Sequence, residues 1–113
     1  MTSFEQGDVV VVPFPYTERN AAYRRPALVV STKLLGGPMR LAWVMMITSA
    51  ENTSSEGDVH LGDAYVDAGL FDPSVVRTAK IANVETIGFQ KIGRLPAEPF
   101  QRVMAELRSV IGA

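Results

Sequence analysis

The sequence predicts a mainly β fold with some α, an α+β domain in which five or six short strands form a small barrel-like sheet closed by one C-terminal helix. Three observations predict it. Runs of β-branched residues of strand length alternate with Gly, Pro and polar turn clusters through residues 8–93. A sustained helical period occurs only at the end, where Phe100, Val103, Met104, Leu107 and Val110 or Ile111 recur on one face while Arg102, Glu106 and Arg108 fall elsewhere. Finally, 113 residues with no internal repeat and no dividing linker read as a single domain over 1–113.

The elements follow in order. Asp8-Val9-Val10-Val11-Val12, bounded by Gly7 and Pro13, is a short buried strand with Asp8 at its start. Pro13 to Arg24 holds prolines and neither period, so it is a long loop, and such loops in small domains are usually functional or mobile. Arg25-Pro26 then leads into a second strand, Ala27 to Thr32. A residue before proline is pushed to extended geometry, so Arg25 has a defined direction. Gly36-Gly37-Pro38 breaks the chain before Arg40 to Thr48, a third strand apolar on both faces and therefore central. After the polar turn 49–57, Asp58 to Leu61 alternates as a fourth strand, and Ala64 to Leu70 makes a helical turn or two. Ser74 to Ile81 is a further strand, and Ala82 to Gly93 holds one more strand or a short turn. Pro96 and Pro99 suit the start of the last helix and Gly112 its exit.

Composition narrows the function classes. Hydrophobic residues at 47% and charged residues at 20% exclude a disordered or fibrous chain. Eleven Lys and Arg against twelve Asp and Glu give a net charge of -1, so no global positive field exists and a polyanion must be met by a local patch. The absence of cysteine removes disulfides, thiolate metal sites and a cysteine nucleophile. The apolar run Leu41 to Ile47 is far short of the roughly 20 residues that a membrane helix needs. Because Met1-Thr2-Ser3-Phe4-Glu5 lacks a basic-then-apolar signal, the expected location is the cytoplasm, with no membrane partner. No Gly-rich phosphate loop, nucleophile elbow or dinucleotide fingerprint is present.

Several residues can carry chemistry. Phe14, Tyr16 and Tyr23 are interleaved with Arg19, Arg24 and Arg25, an arrangement in which aromatics stack on unpaired bases while arginines hold phosphates. The same residues also suit a loop anchored by its aromatics with solvated arginines. Thr48, followed by Ser49, ends an apolar strand, where its hydroxyl either donates to a phosphate oxygen or satisfies a backbone group. His60 is the single histidine, so a mechanism using two histidines within one chain is impossible. Asp58, His60 and Asp63 bear weighing as metal ligands, but no second histidine or dense carboxylate set completes the ligand count, and neither metal nor cofactor is expected. Arg77 and Lys80 add positive charge to a later strand. Arg77 joins Arg25 if the two strand ends converge and is otherwise a solvated cation.

Gly7-Asp8-Val9-Val10-Val11-Val12-Pro13-Phe14 followed by Arg25-Pro26-Ala27-Leu28-Val29-Val30-Ser31 resembles the opening of MazF/PemK-type toxins, the mRNA interferases of type II toxin–antitoxin systems. The match continues through Ile47-Thr48-Ser49, Gly69-Leu70, Pro73-Ser74-Val75-Val76-Arg77 and Ile92-Gly93-Arg94-Leu95, nearly the whole chain. The resemblance implies an SH3-like β-barrel of the MazF/CcdB-like toxin fold and a symmetric homodimer. It also implies a growth-inhibiting, sequence-specific endoribonuclease that needs no metal and cuts single-stranded RNA to 2′,3′-cyclic phosphate and 5′-hydroxyl ends. A cognate antitoxin neutralises such a toxin, filling the RNA groove with acidic and apolar groups, and operator DNA is met only indirectly through the antitoxin complex.

Arg25 and Thr48 stand where the family has catalytic residues, and Arg77 matches an additional arginine of some members. The acidic residue those members carry two positions on is Ala79 here, which leaves the general acid and base open, with Glu18 and Glu51 as candidates and Ser49 as a further contact. Phe14, Tyr16, Arg19, Tyr23 and Arg24 belong to the loop that borders the RNA groove in the family. The rival reading is a catalytically silent protein-binding module on the same fold, as in the gyrase-poisoning toxins. Arg25 and Thr48 favour the enzyme, and Ala79 keeps the rival alive.

Overall fold

The structure, a computed structural model, describes residues 4–13 and 24–113, so Phe14, Tyr16, Glu18, Arg19 and Tyr23 lie outside the described residues. Among the described residues six strands, β1 (Asp8–Pro13), β2 (Arg24–Val29), β3 (Leu41–Ser49), β4 (Asp58–His60), β5 (Ser74–Glu85) and β6 (Gln90–Arg94), precede one α-helix, α1 (Ala97–Ile111). They form one antiparallel sheet in the order β4-β5-β3-β2-β1-β6. Among the described residues its end strands β4 and β6 do not pair with each other, so the sheet is open.

The period-2 pattern divides the apolar residues of the three middle strands between two cores. Val9, Leu28, Val30, Met45 and Ile47 share one with Val59, Val76 and Val103. The alternate residues Val10, Val12, Ala27, Val29, Val44 and Met46 form the other with Ala82, and Phe4, Val84 and Phe89 pack on it. Both faces of β1, β2 and β3 are thus covered, which explains their near-continuous hydrophobic runs. The helix covers the first core through Val103, Phe100 and Leu107. Pro96, extended at φ -60 and ψ 158, stands as its N-cap, and Gly112, left-handed at φ 76, donates its N–H to Arg108 O to end it.

Strand β5 is longer than the sequence pattern indicates. Its register against β3 jumps from Met45↔Ile81 to Met46↔Arg77, so Thr78, Ala79 and Lys80 bulge out of the ladder. The bulge interrupts the alternation that periodicity detects, yet pairing resumes beyond it from Ile81 to Glu85. The segment 82–93 accordingly divides into the end of β5, a turn, and the short edge strand β6. The helical turn expected from Ala64 begins earlier, as a 3-10 turn over Gly62–Tyr65.

Candidate functional site

Toward its end strand β3 pairs with β2 no further than Met46, whereas its pairing with β5 runs on through Ile47, Thr48 and Ser49. The cause is visible in β2. Pro26 has no N–H to donate, and the ladder toward β3 begins one residue later, at Ala27. The start of β2 and the end of β3 therefore part, and a groove of about 310 Å³ opens between them.

Arg25, Thr48, Ser49 and Asn52 line this groove, with Phe71, Asp72 and Ser74 from the segment that leads into β5. Arg25 is half-buried and is held extended between Arg24 and Pro26, in register with Val12 of β1. The Thr48 hydroxyl oxygen accepts a hydrogen bond from Asn52 Nδ2 at 2.5 Å. That bond uses a lone pair of Oγ1 and leaves the hydroxyl proton for another acceptor. The turn carrying Asn52 is closed by the Asn52 N–H donating to Ser49 O at 3.1 Å, and by the Ala50 N–H donating to Pro73 O at 2.9 Å. Ser49 Oγ accepts from the Glu51 N–H at 3.3 Å, while the Glu51 side chain is exposed and does not line the groove.

Arg24 borders the groove, and its guanidinium donates to the carbonyl oxygens of Val11 and Gly88, tying β1 to the β5–β6 turn. Arg77 does not line the groove. Its Nε and Nη2 donate to Asp58 Oδ1 and Oδ2 at 3.2 and 3.1 Å, and Nη2 also donates to Thr53 O at 2.6 Å. Burial pushes the Asp58 carboxyl pKa up, but the Arg77 hydrogen bonds, the Ser55 N–H and the Arg77 charge outweigh it and hold the pKa below the ordinary value. Arg77 and Asp58 thereby pin the loop that carries Asn52. His60 is exposed, and its backbone carbonyl accepts from Arg102 Nη2 at 2.9 Å. Asp63 is exposed in the 3-10 turn, and among the described residues no three His, Asp or Glu side chains converge as a metal site. Ala79 is exposed on the β5 bulge and carries no carboxylate.

The sequence reading missed Asn52, Phe71 and Asp72. Asn52 carried a weak signal, lying four residues after Thr48 across a polar turn. Phe71 and Asp72 sit between Gly69-Leu70 and Pro73-Ser74, and nothing local marks them as neighbours of Arg25. A second hollow, about 390 Å³, is lined by Trp43, Ile81, Leu107, Val110 and Ile111 and presents mostly apolar surface.

A family model described as PemK-like, MazF-like toxin of type II toxin–antitoxin system matches residues 5–111. MazF (Form-I) from Deinococcus radiodurans superposes with a TM-score of 0.76 at 23% identity, covering 100% of both chains. The MazE–MazF crystal structure (Form-II) from the same organism superposes at 0.73 and 21% identity, over 99% of this chain and 98% of that one. An endoribonuclease in complex with its cognate antitoxin from Mycobacterial species superposes at 0.70 and 15% identity, over 99% and 96%. No curated protein matches the chain.

Proposed function

The chain belongs to the PemK-like, MazF-like toxin family of type II toxin–antitoxin systems, and from that premise we propose that it is a cytoplasmic endoribonuclease toxin. It cuts single-stranded RNA at a short motif and is silenced by a cognate antitoxin. Its working form in this reading is a homodimer whose sheets curl as SH3-like barrels. The observation that carries the reading is the groove at the parting of β2 and β3, where Arg25 and Thr48 line one hollow although 23 positions separate them in sequence.

The chemistry needs three things: a group to accept the proton of a 2′-hydroxyl, donors to hold the charge growing on the phosphate oxygens, and a proton for the departing 5′ oxygen. Arg25 offers a guanidinium to the phosphate, a planar fork that matches two oxygens at once. Thr48 adds a neutral donor, its proton directed outward because Asn52 donates to its oxygen. An arginine is almost always protonated and so is a poor base. Among the described residues that line the groove, Asp72 is the carboxylate, and it takes the 2′-hydroxyl proton in this scheme. The attacking 2′ oxygen forms the 2′,3′-cyclic phosphate as the bond to the 5′ oxygen breaks, and water in the open groove protonates the leaving group.

The test is cleavage of a long single-stranded RNA by the protein and its Arg25→Ala variant, with and without chelator, followed by sequencing of the ends. Cleavage by the wild type that survives the chelator and falls by about 10²–10³ in the variant is expected. Equal cleavage by both proteins would remove Arg25 from the mechanism. Abolition by the chelator would move the reading to a metal-dependent nuclease. No cleavage by either, with tight binding to another protein, would favour a silent module.

A further inference from the structure

We infer that Phe71 is a platform on which an unpaired base of the RNA stacks while the neighbouring phosphate lies against Arg25 and Thr48; this rests on the endoribonuclease reading of the groove. Phe71 is 100% exposed, although the residue before it, Leu70, packs on the first core. A large ring held entirely in water gains nothing for the fold, so the ring contributes only when something covers it. It stands on the wall of the groove formed by the segment leading into β5, with β2 and its Arg25 on the far side of β3.

The backbone beneath the ring is fixed from both sides. Before it, Gly69 approaches β6 so closely that a Cβ there would lie 2.0 Å from Ile92 O, and the Leu70 N–H donates to Tyr65 O at 3.0 Å. After it, Ser74 Oγ donates to Asp72 O at 2.8 Å, and Pro73 O accepts from the Ala50 N–H at 2.9 Å. An exposed ring on a held backbone loses little freedom when a planar partner settles on it. The remaining lining argues for the chemistry of that partner. Among the described lining residues, Arg24 and Arg25 stand against one carboxylate, Asp72, with the hydroxyl groups of Thr48 and Ser49 between them. Such a hollow suits an anion with a flat, partly polar attachment, which describes a nucleotide of a single strand. Stacking is tolerant of base identity, so Phe71 supplies affinity more than motif choice.

The experiment first maps the cut site on long RNA, then measures binding of a fluorescein-labelled oligonucleotide spanning that site, with 2′-O-methyl on the attacking 2′ oxygen, by anisotropy. The proteins are wild type, Phe71→Ala, Phe71→Leu and Phe71→Trp. Binding is expected to weaken about 5- to 100-fold in Phe71→Ala, to stay weak in Phe71→Leu, and to return to within about threefold of wild type in Phe71→Trp. Thermal unfolding of Phe71→Ala should match wild type, since the side chain buries nothing. Wild-type affinity in Phe71→Leu would overturn stacking in favour of simple apolar contact. Unchanged RNA binding in Phe71→Ala, with Arg25-dependent cleavage intact, would overturn the platform and leave the proposed function standing. Weakened antitoxin binding with RNA binding untouched would overturn it in favour of a protein contact. A wild type that neither binds nor cuts RNA would instead overturn the endoribonuclease reading itself.

Discussion

Two strands of this protein begin with the same local device and use it differently. Glu5-Gln6-Gly7-Asp8-Val9 opens β1, and Ser55-Glu56-Gly57-Asp58-Val59 opens β4. In both, the glycine is left-handed, at φ 97 and 88, and the aspartate N–H donates to the carbonyl three residues back, at 3.0 and 3.2 Å. In both, the aspartate Oδ2 accepts the N–H of that same residue at 2.9 Å. Each carboxylate then meets an arginine of a neighbouring strand. Asp8 takes Arg94 at 2.8 Å and also Lys91 at 3.2 Å, both cations about half exposed. Asp58 takes Arg77 alone among the described cations, with side-chain exposures of 5% and 13%, so the two clamps differ in the exposure of their cations, while the Asp8 carboxylate is itself 1% exposed. The first turn fastens the edge strand β6, whereas the second fastens the loop that presents Asn52 to Thr48. The same four-residue chemistry is thus a fold clamp in one place and a support for the site in the other, and the partner decides which.

The largest consequence concerns the two arginines. Arg77→Ala removes the hydrogen-bonded counter-charge of the part-buried Asp58 and is expected to cost about 1–3 kcal/mol in urea unfolding at neutral pH. Cleavage by the folded variant should also fall, because Thr53 O loses its donor. Arg94→Ala leaves Lys91 on Asp8 and removes a half-exposed partner, so about 1 kcal/mol is expected, with cleavage unchanged. Equal losses of stability would erase the distinction between the clamps. Next come the glycines. A Cβ on Gly57 would lie 2.6 Å from Thr78 Oγ1, which itself donates to Gly57 O, while a Cβ on Gly7 would meet nothing closer than Arg94 Nη2 at 3.5 Å. Both alanines are strained at positive φ, at about 1–2 kcal/mol, and Gly57→Ala should exceed Gly7→Ala by the cost of displacing Thr78. Thermal unfolding of the two variants measures the gap.

The pH response follows from the lowered Asp58 pKa. Above the ordinary value of 3.8 both folded and unfolded chains carry the ionised carboxyl, and the stabilisation is complete. As pH falls below it, the unfolded chain takes up the proton first, so stability declines until the folded carboxyl is protonated too. Unfolding free energies of wild type and Asp58→Asn between pH 2 and 5 should converge toward the acid end; parallel curves would show that Asp58 contributes no such linkage. The smallest effect is expected from Asn52→Ala, about fivefold in kcat/KM with stability unchanged, the scale of one hydrogen bond orienting a hydroxyl. A full loss of cleavage would mean that Asn52 does more than orient Thr48.

Much of the fold was legible because short-range physics wrote it. Alternation and turn residues marked β1, β2 and β3 to within a residue or three, and Pro96 and Gly112 bracketed the helix correctly. The later strands were harder to read. The bulge at Thr78–Lys80 resets the alternation inside β5, and β6, a polar edge strand, has too few apolar residues to show a period. Within the groove, Arg25 and Thr48 were singled out by Pro26, by a long apolar strand and by the family resemblance together. Phe71 and Asp72 were not, since their place in the groove comes from a segment brought across the end of β3 from more than twenty positions away.

Local chemistry alone dictated that Gly7-Asp8 and Gly57-Asp58 each close a turn, that Pro26 starves the β2–β3 ladder of a donor, and that the strands bury two apolar sets. Those outcomes depend on backbone sterics and on interactions within a few residues. Which arginine each aspartate meets, where the parted strands leave room, and which exposed ring stands over that room were decided by packing. Each depends on contacts between segments whose separation along the chain carries no energetic information until the two cores have brought them together.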